Sequence, residues 1–355
     1  MSNKYIEIDK RRIGPDFAPY IIAEMSANHN GDINKAMKIL EMAKECGADA
    51  IKLQTYTQDT LTIDCETPDF KIEGGLWHGR TLYDLYREAH MPWDWHVPLF
   101  KKAKELGITI FSSPFDNSAV DLLEELGAPA YKIASFEVID LPLIEYVAAT
   151  GKPMILSTGM ANAEEIEEAV HAARNSGCRQ FMLLHCVSGY PAPASDYNLA
   201  TLKDMATRYS VLTGLSDHTI DNATAITSVA FGACVIEKHV TLNRGGGGPD
   251  DSFSLEKSEL SQLCKESQVA WESIGSVNYD RKESEKNNTV FRRSLYFVTN
   301  GMEGEVITTD MVKSIRPGYG LPPKYLPEIL GQKLLRDVVI GDRVDSTSVY
   351  LDSNK

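Results

Sequence analysis

Two histidines, His218 in GLSDHT and His239 in IEKHVTL, lie 21 residues apart (239 − 218). That separation is about one strand–helix–strand unit, so both fall at the tops of neighbouring strands, close enough to share a metal ion. Two imidazoles without thiolates suit a borderline divalent ion such as Mn, Fe, Co or Zn, with positions open for water and a substrate oxygen. A single histidine there would read as a hydrogen-bonded scaffold residue; the pair is what points to a metal. His29, in SANHNGD, is a further candidate ligand. Other polar groups end or follow apolar runs: Glu24, Lys52 and Gln54, Ser112 and Ser113, Lys132 and Ser135, Ser157, Ser188 and Tyr190, Ser216 and Asp217, and Lys238. One lysine at a strand end usually pairs structurally. Their convergence is the signal, because two ammonium groups with several hydroxyls suit a phosphate.

The elements that must position these groups are eight β-rich apolar runs. They are YIIAEMS (20–26), AIKLQTY (50–56), ITIFSS (108–113), AYKIAS (130–135), PMILST (153–158), QFMLLHC (180–186), SVLTGLS (210–216) and CVIEKHVTL (234–242). Stretches of helical spacing such as NKAMKILEMAKECGAD separate most of them. Eight alternations predict an α/β fold, a (β/α)8 TIM barrel whose active site lies at the C-terminal strand ends. An open doubly wound sheet is the alternative, but no GxGxxG follows the first strand. A long insertion between the second and third runs carries Trp77, Tyr83, Tyr86, Trp93 and Trp95. It reads either as a lid or sugar platform or as glue between loop and barrel. GGGGPDDSFSL (245–255) lacks a GK[ST] ending and reads as a flexible loop presenting Asp250 or Asp251 to the site. The expected division is a catalytic barrel over 1–275, a polar linker over 276–289 and a small turn-rich domain over 290–355.

At 355 residues two domains are expected. A formal charge of −14 argues against nucleic acid and acidic membranes as partners, without excluding an anionic small substrate in a local cationic pocket. The N-terminus has no apolar h-region and no run is long enough to span a bilayer, so a cytoplasmic location is expected. The six cysteines have no CxxC spacing and read as reduced core thiols.

The phrases AEMSANHNGD, IKLQTYT, FSSPFD, YKIAS, ILSTGM, GLSDHT and IEKHVTL, then RRSLY and IRPGYGL, resemble the N-acetylneuraminic acid (sialic acid) synthase family along almost the whole chain. The C-terminal segment resembles that family's antifreeze-like (SAF) domain. LWHGRTLYDLYREAHMPWDWH and RPGYGLPPKYL most closely resemble its pseudaminic-acid branch. The resemblance implies condensation of phosphoenolpyruvate with an N-acetylated amino sugar, 2,4-diacetamido-2,4,6-trideoxy-L-altrose in that branch, with release of phosphate. It implies a divalent metal, commonly Mn2+ with Mg2+ or Co2+ as alternatives, on His218 and His239. Lys52, Ser113, Lys132, Ser135, Ser157, Ser188 and Ser216 would surround phosphoenolpyruvate. Gln54, Glu137, Tyr190 and Asp250 would face the sugar, and Glu24 is the candidate general base. Arg316 would reach into the partner's barrel in a homodimer with swapped C-terminal domains. Two positions depart from the sialic acid synthases: Ser188 stands where asparagine is usual, and Ser113 where threonine is frequent.

Other readings stay open from residues alone. N-acetylneuraminate or legionaminate synthesis would use a different amino sugar. A hydrolytic metallo-barrel would recruit an HxH pair on the first strand, which is missing. An ice-binding role for residues 290–355 would leave the strand-end ring unexplained.

Overall fold

The structure, a computed structural model, describes residues 5–351. A hairpin of β1 (Ile6–Ile8) and β2 (Arg11–Ile13) precedes eight parallel strands. These are β3 (Tyr20–Glu24), β4 (Ala50–Thr55), β5 (Thr109–Pro114), β6 (Tyr131–Ile133), β7 (Met154–Ser157), β8 (Phe181–Cys186), β9 (Leu212–Asp217) and β10 (Val235–His239). They run in chain order around a closed barrel, and β10 pairs with β3 from Val235↔Tyr20 to His239↔Glu24. All eight predicted runs are strands, and the TIM-barrel expectation holds.

Strand alternation decides which side chains enter the barrel. Tyr20, Ile22, Ala50, Phe111, Ile155, Met182 and Val235 point inward and pack on Ile6, Ile8 and Ile13 of the hairpin. That plug closes the barrel at the N-terminal end. The alternate residues, among them Ile21, Ile51, Leu53 and Ile236, face the helical layer. Helix 33–46 shows how the connections are punctuated: Asp32 caps Asn34 N–H, and Gly47, at φ 88, ends the helix in a left-handed turn.

Contacts divide the chain into two compact units, 1–275 and 276–355. The second has its own core, including Leu295, Phe297, Met311, Ile329 and Val344. It contains the antiparallel pair β11 (Ser294–Phe297) and β12 (Val312–Ile315). Within the stretch read as a linker, residues from Glu283 onward form a 3-10 helix running to Phe291. Among the described residues no helix is long and apolar enough to cross a membrane. The six cysteines are free thiols, four of them buried.

Candidate active site

The inward residues change character towards the C-terminal strand ends, from apolar to charged. Glu24, Lys52, Lys132 and Glu237 meet there, each almost wholly buried. Lys52 Nζ lies 2.7 Å from Glu24 Oε2 and 3.7 Å from Glu237 Oε1, and it donates to Ser113 Oγ at 3.2 Å. Lys132 Nζ lies 3.5 Å from Glu237 Oε1. Ser216 Oγ donates to the same oxygen at 3.3 Å. Burial alone would raise the Glu237 carboxyl, but the two lysines win and hold it below its usual value, an anion. Glu24 has a single lysine beside it. Burial dominates there and pushes its carboxyl up to about 7.

A second group lies above this cluster. Gln54 Nε2 donates to Glu24 Oε1 at 2.9 Å and to Ser26 Oγ at 3.0 Å. Ser26 Oγ donates to Asp250 Oδ2 at 2.5 Å, and burial raises the Asp250 carboxyl. Ser188 Oγ donates to Ser135 Oγ at 3.0 Å. Tyr190 packs on His218 with ring centroids 4.4 Å apart and on His239 at 6.2 Å. Burial pushes the Glu137 carboxyl up to about 7. Ser157 Oγ, Glu137 Oε2, Glu237 Oε2 and His239 Nδ1 are buried without hydrogen-bond partners. Orphaned polar atoms converging at strand ends mark a place built for a polar ligand, since leaving each unmet costs about 1–3 kcal/mol.

The two histidines fit a metal. Their rings are 5.4 Å apart, and His218 Nδ1 faces Val187 O at 2.8 Å, so that nitrogen carries the proton and Nε2 keeps its lone pair. Burial lowers both pKa values and keeps both imidazoles neutral, as ligation requires. Among the described residues no group of three or more His, Cys, Asp or Glu forms a protein-only cage, so water and substrate would complete the coordination sphere.

Some candidates lie elsewhere. His29 accepts from Gly31 N–H in its own loop and packs edge-on against Trp95 of the long insertion. Asp251 does not face the site: it accepts from Thr241, Asn30 and Gly248 N–H, stapling the loop that presents Asp250. Lys238 has outward parity and pairs with Asp217 at 2.8 Å, while donating to Thr219 O and Asp221 O. It secures the loop that carries His218. Arg316 is exposed in the second unit, directly after β12. Glu237 and Ser26 were not singled out in the sequence. Glu237 had a readable signal, since it lies two residues before His239 on the same strand face.

Gly159, at φ +47, packs against the Ser135–Ser188 pair. A Cβ there would lie 2.5 Å from Ser135 Cβ and 2.9 Å from Ser188 Oγ. Gly159→Ala is therefore expected to cost about 1–3 kcal/mol of stability. A lowered melting temperature would check it.

A cavity of about 390 Å³ opens from Gln54, Ser135, Glu137, His239 and Asp250 to an outer wall of the long insertion, including Leu61, Trp77, Leu85 and Tyr86. A larger hollow, of about 950 Å³, lies beside Gly14, Phe231 and Trp271, away from this chemistry. The strand-end chemistry, not cavity size, locates the active site.

A closed parallel barrel with two neutral histidines, paired lysines and carboxylates at its C-terminal strand ends, and an adjoining aromatic cavity, defines the class: a (β/α)8 barrel built around a polar ligand. The chain belongs to the NeuB family, whose model matches residues 39–279. It is 42% identical to the pseudaminic acid synthase of Helicobacter pylori over 317 residues, 89% of this chain and 93% of that one. It is 34% identical to the N,N'-diacetyllegionaminic acid synthase of Campylobacter jejuni, over 88% of this chain and 94% of the other. Among solved structures it resembles the N-acetylneuraminic acid synthetase of Leptospira borgpetersenii, in complex with citrate. The TM-score is 0.72 and the identity 32%, covering 82% of this chain and 97% of that one.

Proposed function

We propose that this chain is a pseudaminic acid synthase. It condenses phosphoenolpyruvate with 2,4-diacetamido-2,4,6-trideoxy-β-L-altropyranose, yielding pseudaminic acid and phosphate. The supporting observation is the buried Lys52–Lys132–Glu237 cluster at the same strand ends as a cavity floored by Gln54, Ser135, Glu137 and His239 and walled by the aromatic insertion. The higher identity to the pseudaminic acid synthase than to the legionaminic acid synthase supports the choice of sugar.

Lys52, Lys132 and the hydroxyls of Ser113, Ser135, Ser157, Ser188 and Ser216 hold the phosphate and carboxylate of phosphoenolpyruvate. Gln54, Glu137, Tyr190 and Asp250 orient the open-chain sugar so that its C1 aldehyde carbon faces C3 of phosphoenolpyruvate. A divalent metal on His218 and His239, manganese by family resemblance, would polarise the aldehyde oxygen when bound. C3 bonds to C1, the aldehyde oxygen takes a proton from solvent, and positive charge develops at C2. Water adds at C2 and gives a proton to Glu24, whose carboxyl near 7 suits a base at neutral pH. The bond from C2 to the phosphate oxygen then breaks, the C2 hydroxyl passes its proton to the departing phosphate beside the lysines, and C2 is left as a ketone.

Manganese at 100 times its Kd should stabilise the protein by about 2.7 kcal/mol, read as a rise in melting temperature after chelator treatment. His218→Asn and His239→Asn should abolish that rise. The second unit is proposed to be an antifreeze-like module of a swapped homodimer, with Arg316 of the partner subunit closing the site. Co-expressed Glu24→Gln and Arg316→Ala chains, each inactive alone, should then regain activity in mixed dimers; no recovery contradicts the swap.

The substrate is tested by phosphate release with phosphoenolpyruvate and Mn2+, comparing the trideoxy-diacetamido altrose with N-acetylmannosamine. Release with the former alone supports the proposal. Release with the latter alone keeps the family and overturns the sugar.

A further inference from the structure

The outer wall of the cavity carries a feature that the phosphoenolpyruvate chemistry does not use. A tight hairpin formed by residues 71–81 presents Trp77 near its tip. Lys71 pairs with Thr81, Ile72 N–H donates to Arg80 O at 2.9 Å, and Gly79 N–H donates to Ile72 O at 2.9 Å. Thr81 caps the following helix, Leu82–Ala89, by accepting from Asp84 N–H, so the turn has a fixed base. The Trp77 ring lies 6.1 Å from Tyr190, which itself packs on both histidines. Trp77 Nε1 is buried and has no hydrogen-bond partner. The same stretch of cavity is lined by Tyr56, Leu61, Leu85, Tyr86 and Phe115. Tyr56 holds Tyr86 and Phe115 edge-on at 5.8 and 5.1 Å.

One buried N–H donor in an apolar wall asks for a ligand group with one acceptor beside a small apolar surface. An acetamido group has that form, with a carbonyl oxygen and an adjacent methyl. The polar floor at Gln54, Glu137, Asp250 and His239 takes the reacting C1 end, so the wall meets the part of the sugar remote from C1.

We propose that the insertion forms an acetamido-binding subsite. The Trp77 indole N–H donates to the carbonyl of the sugar's distal acetamido group, at C4. Leu61, Leu85 and the Tyr56–Tyr86–Phe115 aromatic set cover its methyl. This rests on the amino-sugar reading of the site, and it makes Trp77 a specificity-determining residue rather than packing for the loop.

The test is direct binding by calorimetry to the full-length chain without phosphoenolpyruvate. The ligands are the 2,4-diacetamido-trideoxy sugar and an analogue with a hydroxyl in place of the C4 acetamido group. Wild-type protein should bind the diacetamido sugar at least tenfold more tightly, a comparison that needs no variant to fold. Trp77→Phe keeps the ring and removes the donor. It should weaken the diacetamido sugar about two- to twelvefold, the range of one neutral hydrogen bond, and leave the analogue unchanged. Equal wild-type affinities, no binding of either sugar, or equal weakening of both by Trp77→Phe overturns the subsite. Selective binding without phosphate release on adding phosphoenolpyruvate and Mn2+ would keep the subsite and sink the synthase reading.

Discussion

Replacing Glu24 by glutamine is expected to lower kcat by about 10²–10⁴, the usual contribution of a positioned general base. The amide oxygen can keep the bond from Gln54, but the 2.7 Å ion pair with Lys52 is lost, so the melting temperature has to be read beside kcat. The pH profile carries the sharper signature. The carboxylate is the active form, so wild-type activity should rise as pH increases through about 7 and then level off. In Glu24→Gln that limb should disappear. Glu137 also titrates at about 7, so Glu137→Gln is the control, and it should keep the limb set by Glu24. Stability follows the opposite sign. A folded pKa above the unfolded value of about 4.5 favours the folded state when Glu24 is protonated, and that contribution is lost as pH rises towards 7. Glu24→Gln should flatten this part of the melting-temperature profile. A variant with unchanged kcat and an intact acidic limb would remove Glu24 from the mechanism.

Lys132→Met should lower kcat/KM by at least about 10², and up to about 10³, the effect of removing one preorganised electrostatic partner of the developing charge. The lysine is enclosed, with Glu237 Oε1 at 3.5 Å and Ile133 O at 3.3 Å. Removing it leaves a buried carboxylate with only Lys52 and Ser216. Destabilisation of about 3 kcal/mol is expected, at the low end for breaking a buried ion pair because one lysine remains. The double variant Lys132→Met/Glu237→Gln separates the two effects. It should recover most of the stability, as a coupled pair does, and none of the activity. Denaturant midpoints and steady-state kinetics on wild type, Lys132→Met, Glu237→Gln and the double variant read both. Recovery of activity in the double variant would mean that Lys132 serves only to neutralise Glu237.

The barrel was legible because its strands are short, apolar and regularly spaced, a pattern few other folds produce. The site was legible in part for the same reason: Lys52, Lys132, His218 and His239 stand out as polar residues at the ends of apolar runs. Strand parity decided what was missed. Counting back two from His239 reaches Glu237, which enters the barrel, whereas neighbouring Lys238 faces the helical layer and pairs with Asp217. Asp250 and Asp251 are adjacent in sequence and opposite in role, and only the loop path separates them: Asp250 meets Ser26 while Asp251 accepts from Gly248 N–H of its own loop and from Asn30. Trp77 was visible as one aromatic among several in a long insertion. Its unpartnered indole nitrogen depends on a tertiary arrangement that no local spacing encodes.

In the proposed reaction water adds at C2 of a condensed intermediate and phosphate leaves with C2–O cleavage. The reaction run in ¹⁸O-enriched water, with phosphoenolpyruvate, the diacetamido sugar and Mn2+, tests it through early-time mass spectra of both products. Strictly sugar-dependent release of unlabelled phosphate, one per sugar consumed, and label on C2 of the nine-carbon acid are expected. Labelled phosphate, or phosphate released without the sugar, would contradict it.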